Sequence, residues 1–149
     1  MSLEDLYKFG KLKKHKTSTE EIESLLGVCK RCIKDAEQTS ISLDLRFIST
    51  YQAALAAAES LLGCYGYKAL RNSYHYMTWE ALRNTDDEYI KRATILFDDA
   101  KQKRGNAFYD HAGAVSETEF NELISETKKF IVYIKEKITK EFPNLIPNK

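Results

Sequence analysis

An alanine-rich segment at residues 43–65 restricts the fold of this chain more than any other part of the sequence. Five of the six positions from 53 to 58 are alanine, and Gly63 and Gly66 mark the end of the segment. Because small side chains let neighbouring helices approach closely, the pattern predicts a long central helix surrounded by others. Larger apolar residues recur along one face of this predicted helix, at Leu45, Ile48, Tyr51, Leu55, Ala58 and Leu62.

The apolar pattern on both sides of this segment is also helical. Ser116 and Glu119 form a capping box for the last predicted helix, which ends at Phe142 and Pro143. No stretch alternates apolar and polar residues as a strand does. The sequence therefore predicts an all-α fold, an antiparallel bundle of about five helices. The predicted helices cover residues 3–9, 17–37, 43–65, 68–84, 86–110 and 116–142.

Length and charge limit the possible functions. The 149 residues predict a single domain over 1–149, with a basic N-terminal segment at 1–16 and a loose tail at 143–149. A net charge of +1 lacks the global basicity of a strong nucleic-acid binder, so any such binding needs a local patch. The basic run at residues 11–16 is either such a patch or, as is more common, a solvated tail.

Apolar runs and cysteines indicate the compartment. The longest apolar run, residues 53–58, is far shorter than a membrane span, and the N-terminus lacks the apolar core of a secretory signal. We therefore expect a cytoplasmic protein with no membrane contact. Cys29 and Cys32 form a C-x-x-C inside a predicted helix, and with only Cys64 remaining the chain lacks four cysteine ligands for zinc. We expect reduced cysteines, Cys29 buried and Cys32 half-exposed, with no metal and no cofactor.

A polar segment at residues 98–116 is the main candidate site. On a continuous helix Arg104 and His111 lie two turns apart on one face, about 10 Å along the axis. An imidazole can transfer a proton near neutral pH, and a guanidinium can hold a phosphate. Alternatively the segment only orders a turn, with Arg104 paired to Asp110 and His111 exposed. The candidate residues are Lys101, Lys103, Arg104, Asn106, Tyr109, Asp110 and His111.

A second polar cluster is predicted in the helix at residues 68–84. Arg71 and His75 are four residues apart and would share one helix face. The pair is either catalytic or an ordinary surface pair beside Trp79.

The pattern over residues 42–138 resembles the HEPN family (higher eukaryotes and prokaryotes nucleotide-binding domain). The likeness rests on the alanine-rich helix, on Gly66-Tyr67 and the aromatic segment 74–82, and most specifically on residues 103–111 followed by 115–119. In catalytic members an arginine and a histidine, separated by four to six residues, cleave RNA without metal. Arg104 and His111 have six residues between them.

The resemblance implies two functions. The first is a metal-independent ribonuclease or toxin-like component, with Arg104 and His111 as catalytic residues. Asn106, Tyr109 and Asp110 would support them, and Lys101 and Lys103 would bind the phosphates of RNA. The second is a non-catalytic HEPN module that binds a partner protein or a nucleotide. An unrelated helical bundle is the remaining possibility.

The resemblance also implies partners. Family members are dimers that bring two copies of the site together across a cleft, and nine Tyr and seven Phe leave apolar surface for a partner subunit, so we expect a homodimer. Toxin members are paired with a nucleotidyltransferase-type antitoxin, which modifies a tyrosine two residues after the histidine. Gly113 stands at that position here.

Overall fold

The structure, a computed structural model, describes residues 1–105 and 113–146. These residues are mostly helical and form six α-helices with one short two-stranded sheet, so the predicted all-α bundle is confirmed. No helix within the described residues is long and apolar enough to cross a membrane. The elements are α1 (Leu3–Lys8), β1 (Leu12–Lys14), α2 (Thr19–Ala36), α3 (Leu43–Cys64), β2 (Tyr67–Ala69), α4 (Tyr74–Arg83), α5 (Glu88–Gly105) and α6 (Glu117–Glu141), with 3-10 turns at Arg71–Ser73 and Pro143–Leu145.

The alanine-rich helix α3 is central, as predicted. The side chain of Ser42 caps its first turn by accepting from the Leu45 amide at 3.2 Å, and α2, α4, α5 and α6 all pack against it. The alanines from 53 to 58 are at most 2% exposed. Leu45, however, was wrongly predicted to face inward, because it is 54% exposed. Two residues further along, Phe47 is buried, and a two-residue step rotates a helical side chain by about 200°.

Helix α6 forms the second long wall of the bundle. Its predicted capping box is present: the Glu119 amide donates to Ser116 Oγ at 3.1 Å, and the Ser116 amide donates to Glu119 Oε1 at 2.9 Å. The predicted loose tail is wrong for residues 143–146, because Pro143–Leu145 forms a 3-10 turn and Ile146 packs against the core. Residues 147–149 lie outside the described part. The buried residues of α6 are Phe120, Leu123, Thr127, Phe130, Ile131, Ile134 and Ile138.

A small sheet joins the N-terminal basic run to the middle of the chain. Strand β1 pairs antiparallel with β2, with Lys13 opposite Lys68, and Leu12 is only 3% exposed. The predicted absence of strands and the predicted solvated tail are therefore both wrong for this run. Gly66, at φ +93°, makes the turn from α3 into β2, and its carbonyl accepts from the His15 amide at 2.9 Å. Three-residue strands are too short to show a clear alternation in sequence.

The same sheet shortens the predicted helix at residues 68–84. Residues Tyr67–Ala69 belong to β2, the chain then passes through the 3-10 turn Arg71–Ser73, and α4 begins only at Tyr74. The long-range pairing with β1 replaces helical hydrogen bonds at this point. Because α4 begins later than predicted, Arg71 and His75 of the second predicted polar cluster lie in different elements.

Candidate functional site

A cluster of polar and aromatic side chains lies where α3, α4 and α5 meet. It consists of Tyr51 from α3, His75 and Tyr76 from the first turn of α4, and Lys101 and Arg104 from the end of α5. Tyr51 is fully buried, whereas Tyr76 is 51% exposed, so the cluster extends from the core to the surface. We call these five residues the Tyr51 cluster.

A chain of hydrogen bonds orients the imidazole of His75. The indole Nε1 of Trp79 donates to Tyr51 Oη at 2.9 Å, and Tyr51 Oη lies 3.0 Å from His75 Nδ1. The Tyr51 and His75 rings stack at a centroid distance of 5.6 Å with an interplanar angle of 8°. Because an indole can only donate, every group is satisfied when the Tyr51 hydroxyl donates to Nδ1. This assignment places the proton of the neutral imidazole on Nε2.

Two cations lie on the aromatic rings of the cluster. Lys101 Nζ is 5.3 Å from the centroid of the Tyr76 ring, and the guanidinium carbon of Arg104 is 6.0 Å from that of Tyr51. Both distances are within the range of a cation–π interaction. Burial, then the charges of Arg104 and Lys101, lower the pKa of His75 below its usual value. His75 is therefore neutral at pH 7, while burial raises the pKa of Tyr51 to about 12.

An ion pair between α4 and α5 lies next to the cluster. Arg83 donates through Nη2 to Asp98 Oδ2 and also lies 3.3 Å from Glu80. Asp98 Oδ1 is buried and has no hydrogen-bond partner among the described residues. Asp98 is close enough to Tyr51 to act on its pKa, so it adds a negative charge beside the two cations.

Sequence reasoning missed four residues of this region: Tyr51, Tyr76, Arg83 and Asp98. Tyr51 was read only as a core residue of α3. Two helical spacings in the sequence indicate Arg83 and Asp98, since each places a set of polar or aromatic side chains on one helix face. The sets are His75, Trp79 and Arg83, four apart on α4, and Asp98, Lys101 and Arg104, three apart on α5.

The two predicted phosphate-binding lysines, Lys101 and Lys103, lie in different places. Lys103 Nζ pairs with Glu119 Oε2 at 3.1 Å and lines a groove between α5 and α6 with Phe47 and Leu123. Lys101 forms no ion pair with a carboxylate in the described part of the chain. The structure thus brings Lys101, but not Lys103, to the Tyr51 cluster.

The predicted pairing of Arg71 with His75 on one helix face is wrong. Arg71 lies in the 3-10 turn before α4, is exposed, and forms no ion pair with any described residue. His75 is not a surface partner of Trp79 either, because the two are joined through the hydroxyl of Tyr51.

Four predicted site residues, Asn106, Tyr109, Asp110 and His111, lie outside the described residues. Helix α5 is described to Gly105, so its predicted continuation to about residue 110 also lies outside them.

The cysteines are placed as structural residues. Cys29 is buried and its thiol donates to the Ala53 carbonyl at 3.2 Å, while burial, followed by the nearby Cys32, raises its pKa to about 12. Cys32 was predicted half-exposed but is only 8% exposed, and burial raises its pKa as well. Thiols held in the protonated form are poor nucleophiles and poor metal ligands. Among the residues that the structure describes, no three His, Cys, Asp or Glu side chains are grouped to hold a metal.

The Tyr51 cluster combines two cations, a neutral imidazole that presents an N–H donor, and an exposed aromatic ring. Such a set suits a phosphate that is attached to an aromatic base. Comparison of the chain with protein-family models, with curated proteins and with solved structures found no match. Any function must therefore be proposed from these side chains and from the sequence resemblance.

Proposed function

We propose that this chain is a HEPN-like protein that binds RNA at the Tyr51 cluster and cleaves it without a metal ion. The observation that carries the proposal is the position of Lys101 and Arg104 beside the neutral, oriented imidazole of His75. Arg104 is also the arginine of the sequence motif that resembles the family. A cationic, partly buried site of this kind stabilises the charge that grows on a phosphate during displacement.

The described residues of the cluster take the role of holding the phosphate. The guanidinium of Arg104 and the ammonium of Lys101 neutralise the non-bridging oxygens. His75, whose Nδ1 is engaged by Tyr51, donates to one of these oxygens from Nε2. The exposed ring of Tyr76 offers a face on which a base can stack.

Proton transfer is assigned to His111, on the basis of the resemblance alone. In the proposed reaction the ribose 2′-oxygen attacks the phosphorus and the bond from phosphorus to the 5′-oxygen breaks. His111 takes the proton of the 2′-hydroxyl and returns a proton to the leaving 5′-oxygen. The products are a 2′,3′-cyclic phosphate and a 5′-hydroxyl end.

The proposal is tested with purified protein and radiolabelled single-stranded and structured RNA in EDTA. We expect cleavage in EDTA, and His111→Ala should slow it by roughly 10²–10⁴-fold while leaving the melting temperature unchanged. Arg104→Ala should reduce both RNA binding and turnover, by about 10²–10³-fold in rate. Lys101→Ala should weaken binding, whereas Lys91→Ala serves as a matched control on the same helix, because Lys91 lies outside the cluster and beside Glu88. Equal effects of the two lysine variants would contradict the placement of the site.

A second candidate function is a non-catalytic nucleotide-binding module. It is favoured by the fact that Lys101, Arg104 and His75 suit phosphate binding, and that the Nδ1 of His75 is already occupied. In that case Arg104→Ala weakens nucleotide binding, but the wild-type protein leaves RNA intact and His111→Ala changes nothing. The RNA assay in EDTA therefore separates the two functions.

Assembly is part of the same proposal. We expect a homodimer that places two copies of the cluster across one cleft, as the resemblance implies. Light scattering at micromolar concentration should give about twice the monomer mass of 17.2 kDa. A nucleotidyltransferase-type antitoxin is the proposed partner for a toxin role, but Gly113 removes the tyrosine that such an enzyme modifies, so its control would differ here.

A further inference from the structure

An apolar groove runs between α2 and α6, on residues that the Tyr51 cluster does not use. Its floor is formed by Cys29 and Ile33 of α2 and by Ile131 and Val132 of α6, and its volume is about 460 Å³. Val132 is 55% exposed although it is a large aliphatic residue. The groove therefore exposes apolar surface that the bundle itself does not cover.

The apolar surface continues over α6 into a second depression of about 470 Å³. Val132 belongs to both depressions, and the rings of Tyr89 and Tyr133 extend the apolar surface on the far side. These rings lie against each other with centroids 4.2 Å apart, so they form one continuous aromatic wall. Exposed apolar side chains that adjoin in this way offer a surface that a partner protein can cover.

The rim of the groove is cationic. Lys30 and Lys34 of α2 face Lys128 and Lys135 of α6, and Glu37 is the one carboxylate among the lining residues. Glu37 is already paired with Lys128 at 2.7 Å. Within the described part of the chain, the other three lysines form no ion pair. We call this feature the lysine-rimmed groove.

We propose that the lysine-rimmed groove binds an acidic amphipathic helix of a partner protein. The lining residues on α2 and α6 each extend over about two helical turns, or about 11 Å, so the groove accepts the apolar face of a helix. Acidic residues that flank such a face would meet Lys30, Lys34 and Lys135 on the rim. This pairing satisfies the apolar floor and the charged rim together.

Other occupants fit the groove less well. A second copy related by two-fold symmetry would place lysine rims against lysine rims, and like charges in contact oppose association. A nucleic acid would match the rim but not the apolar floor, because its phosphates need polar partners. Docking at the groove leaves the Tyr51 cluster open, since neither α2 nor α6 contributes a residue to that cluster. The inference therefore does not depend on the proposed RNA chemistry.

The test uses a fluorescein-labelled peptide of about 18 residues, long enough for five helical turns, with leucines at the i, i+3, i+4, i+7 spacing and glutamates on the other face. A twin peptide carries lysine in place of every glutamate. Anisotropy should show micromolar binding of the acidic peptide, weakening with salt, and no binding of the basic twin. Hydrogen exchange should show protection on α2 and α6 when the acidic peptide is bound.

Variants of the rim and floor locate the binding site. The double change Lys30→Glu with Lys34→Glu, and separately Val132→Glu, should each weaken binding by roughly tenfold or more. Glu37→Lys should tighten it, because Lys128 is released from its pair. Lys140→Glu is the matched control, since Lys140 is an exposed residue of α6 that does not line the groove. Melting curves check that each variant is folded.

Four results would overturn the inference. The first is no binding of the acidic peptide at a protein concentration 100-fold above a micromolar dissociation constant, and the second is a loss of binding in the Lys140→Glu control as large as that in the rim variants. The third is displacement of the peptide by single-stranded RNA or by anionic phospholipid vesicles that bind as tightly as the peptide does. The fourth is self-association of the protein that Val132→Glu abolishes. The last two would assign the groove to a nucleic acid, a membrane surface or a second copy instead.

Discussion

Two regions of this molecule carry several cationic side chains, the basic run at residues 11–16 and the Tyr51 cluster, and the neighbours of these side chains differ. In the N-terminal region, Lys14 pairs with Glu4 at 2.7 Å, so a carboxylate neutralises its charge, and His15 lies 2.6 Å from Glu21. In the Tyr51 cluster, Lys101 lies over the ring of Tyr76 and forms no ion pair with a carboxylate in the described part of the chain, and Arg104 lies over the ring of Tyr51. An aromatic ring attracts a cation without removing its charge.

The comparison shows that the density of lysines in a sequence does not identify a binding surface. The run at residues 11–16 is the densest basic stretch, yet Lys14 also donates to the hydroxyl of Tyr67, and hydrogen bonds from Lys14 and Tyr67 lower the pKa of Glu4. Lys14 therefore serves the contact between α1, β1 and β2. In the Tyr51 cluster, burial and then the charges of Arg104 and Lys101 lower the pKa of His75.

The largest expected effect tests whether the N-terminal run is part of the fold. Leu12→Ala removes a leucine that is 3% exposed and should destabilise the protein by about 2–5 kcal/mol in urea denaturation. Leu45→Ala is the control, because Leu45 is 54% exposed and should change stability by less than about 0.5 kcal/mol. If Leu12→Ala is as mild as Leu45→Ala, the basic run is a solvated tail and the comparison between the two regions fails.

A smaller loss of stability is expected when one tyrosine hydroxyl is removed from each region. Tyr51→Phe leaves the Trp79 N–H buried without an acceptor, which should cost about 1–3 kcal/mol of unfolding free energy. Tyr67→Phe removes a hydroxyl that donates to Glu4 near the surface and should cost less than about 1 kcal/mol. Both are read from chemical denaturation of the purified variants. The reverse order would mean that the hydrogen bonds of the Tyr51 cluster are dispensable.

The smallest expected effect concerns the charge around His75. Arg104→Ala should raise the pKa of His75 toward its ordinary value, and Lys101→Ala should do so less, because Arg104 is the larger of the two charge effects. Lys14→Ala is the control from the other region and should leave that pKa unchanged. NMR titration of the imidazole signals measures each shift. If the pKa of His75 is unchanged in Arg104→Ala, Arg104 does not act on His75 and is not part of the cluster.

The same lowered pKa gives a sign for the pH dependence of stability. The unfolded chain binds a proton on His75 more readily than the folded chain does. The stability that the neutral imidazole contributes to the folded state is therefore fully present above about pH 6.5. It is lost as the pH falls through the folded-state pKa. The melting temperature of the wild type should therefore decrease more between pH 7 and pH 5 than that of His75→Gln.

The sequence predicts the long helices well and the sheet poorly, for physical reasons. Helices α3 and α6 have many turns, caps and a repeated apolar spacing, so their limits are local properties. Strands β1 and β2 have three residues each and depend on a partner more than fifty residues away, which no local pattern reports. That pairing also displaced the start of α4 and separated Arg71 from His75.

The candidate site was predictable in part. Lys101 and Arg104 are predicted site residues that the structure places in one cluster, and helical geometry alone places Lys103 about 200° from Lys101. The contact of Tyr51 with His75 and Trp79 joins two helices and is a tertiary property. A tyrosine on an apolar stripe gives no sign of whether its hydroxyl meets a histidine.

One carboxylate at the start of α3 holds the described part of the chain that follows His111. Asp44 accepts hydrogen bonds from the amides of Gly113 at 2.7 Å and Val115 at 3.2 Å. It thereby fixes residues 113–115 to α3, while the ion pair of Lys103 with Glu119 ties the end of α5 to the start of α6. The described residues on both sides of positions 106–112 are therefore held to the bundle, on one side by an acid from a different helix.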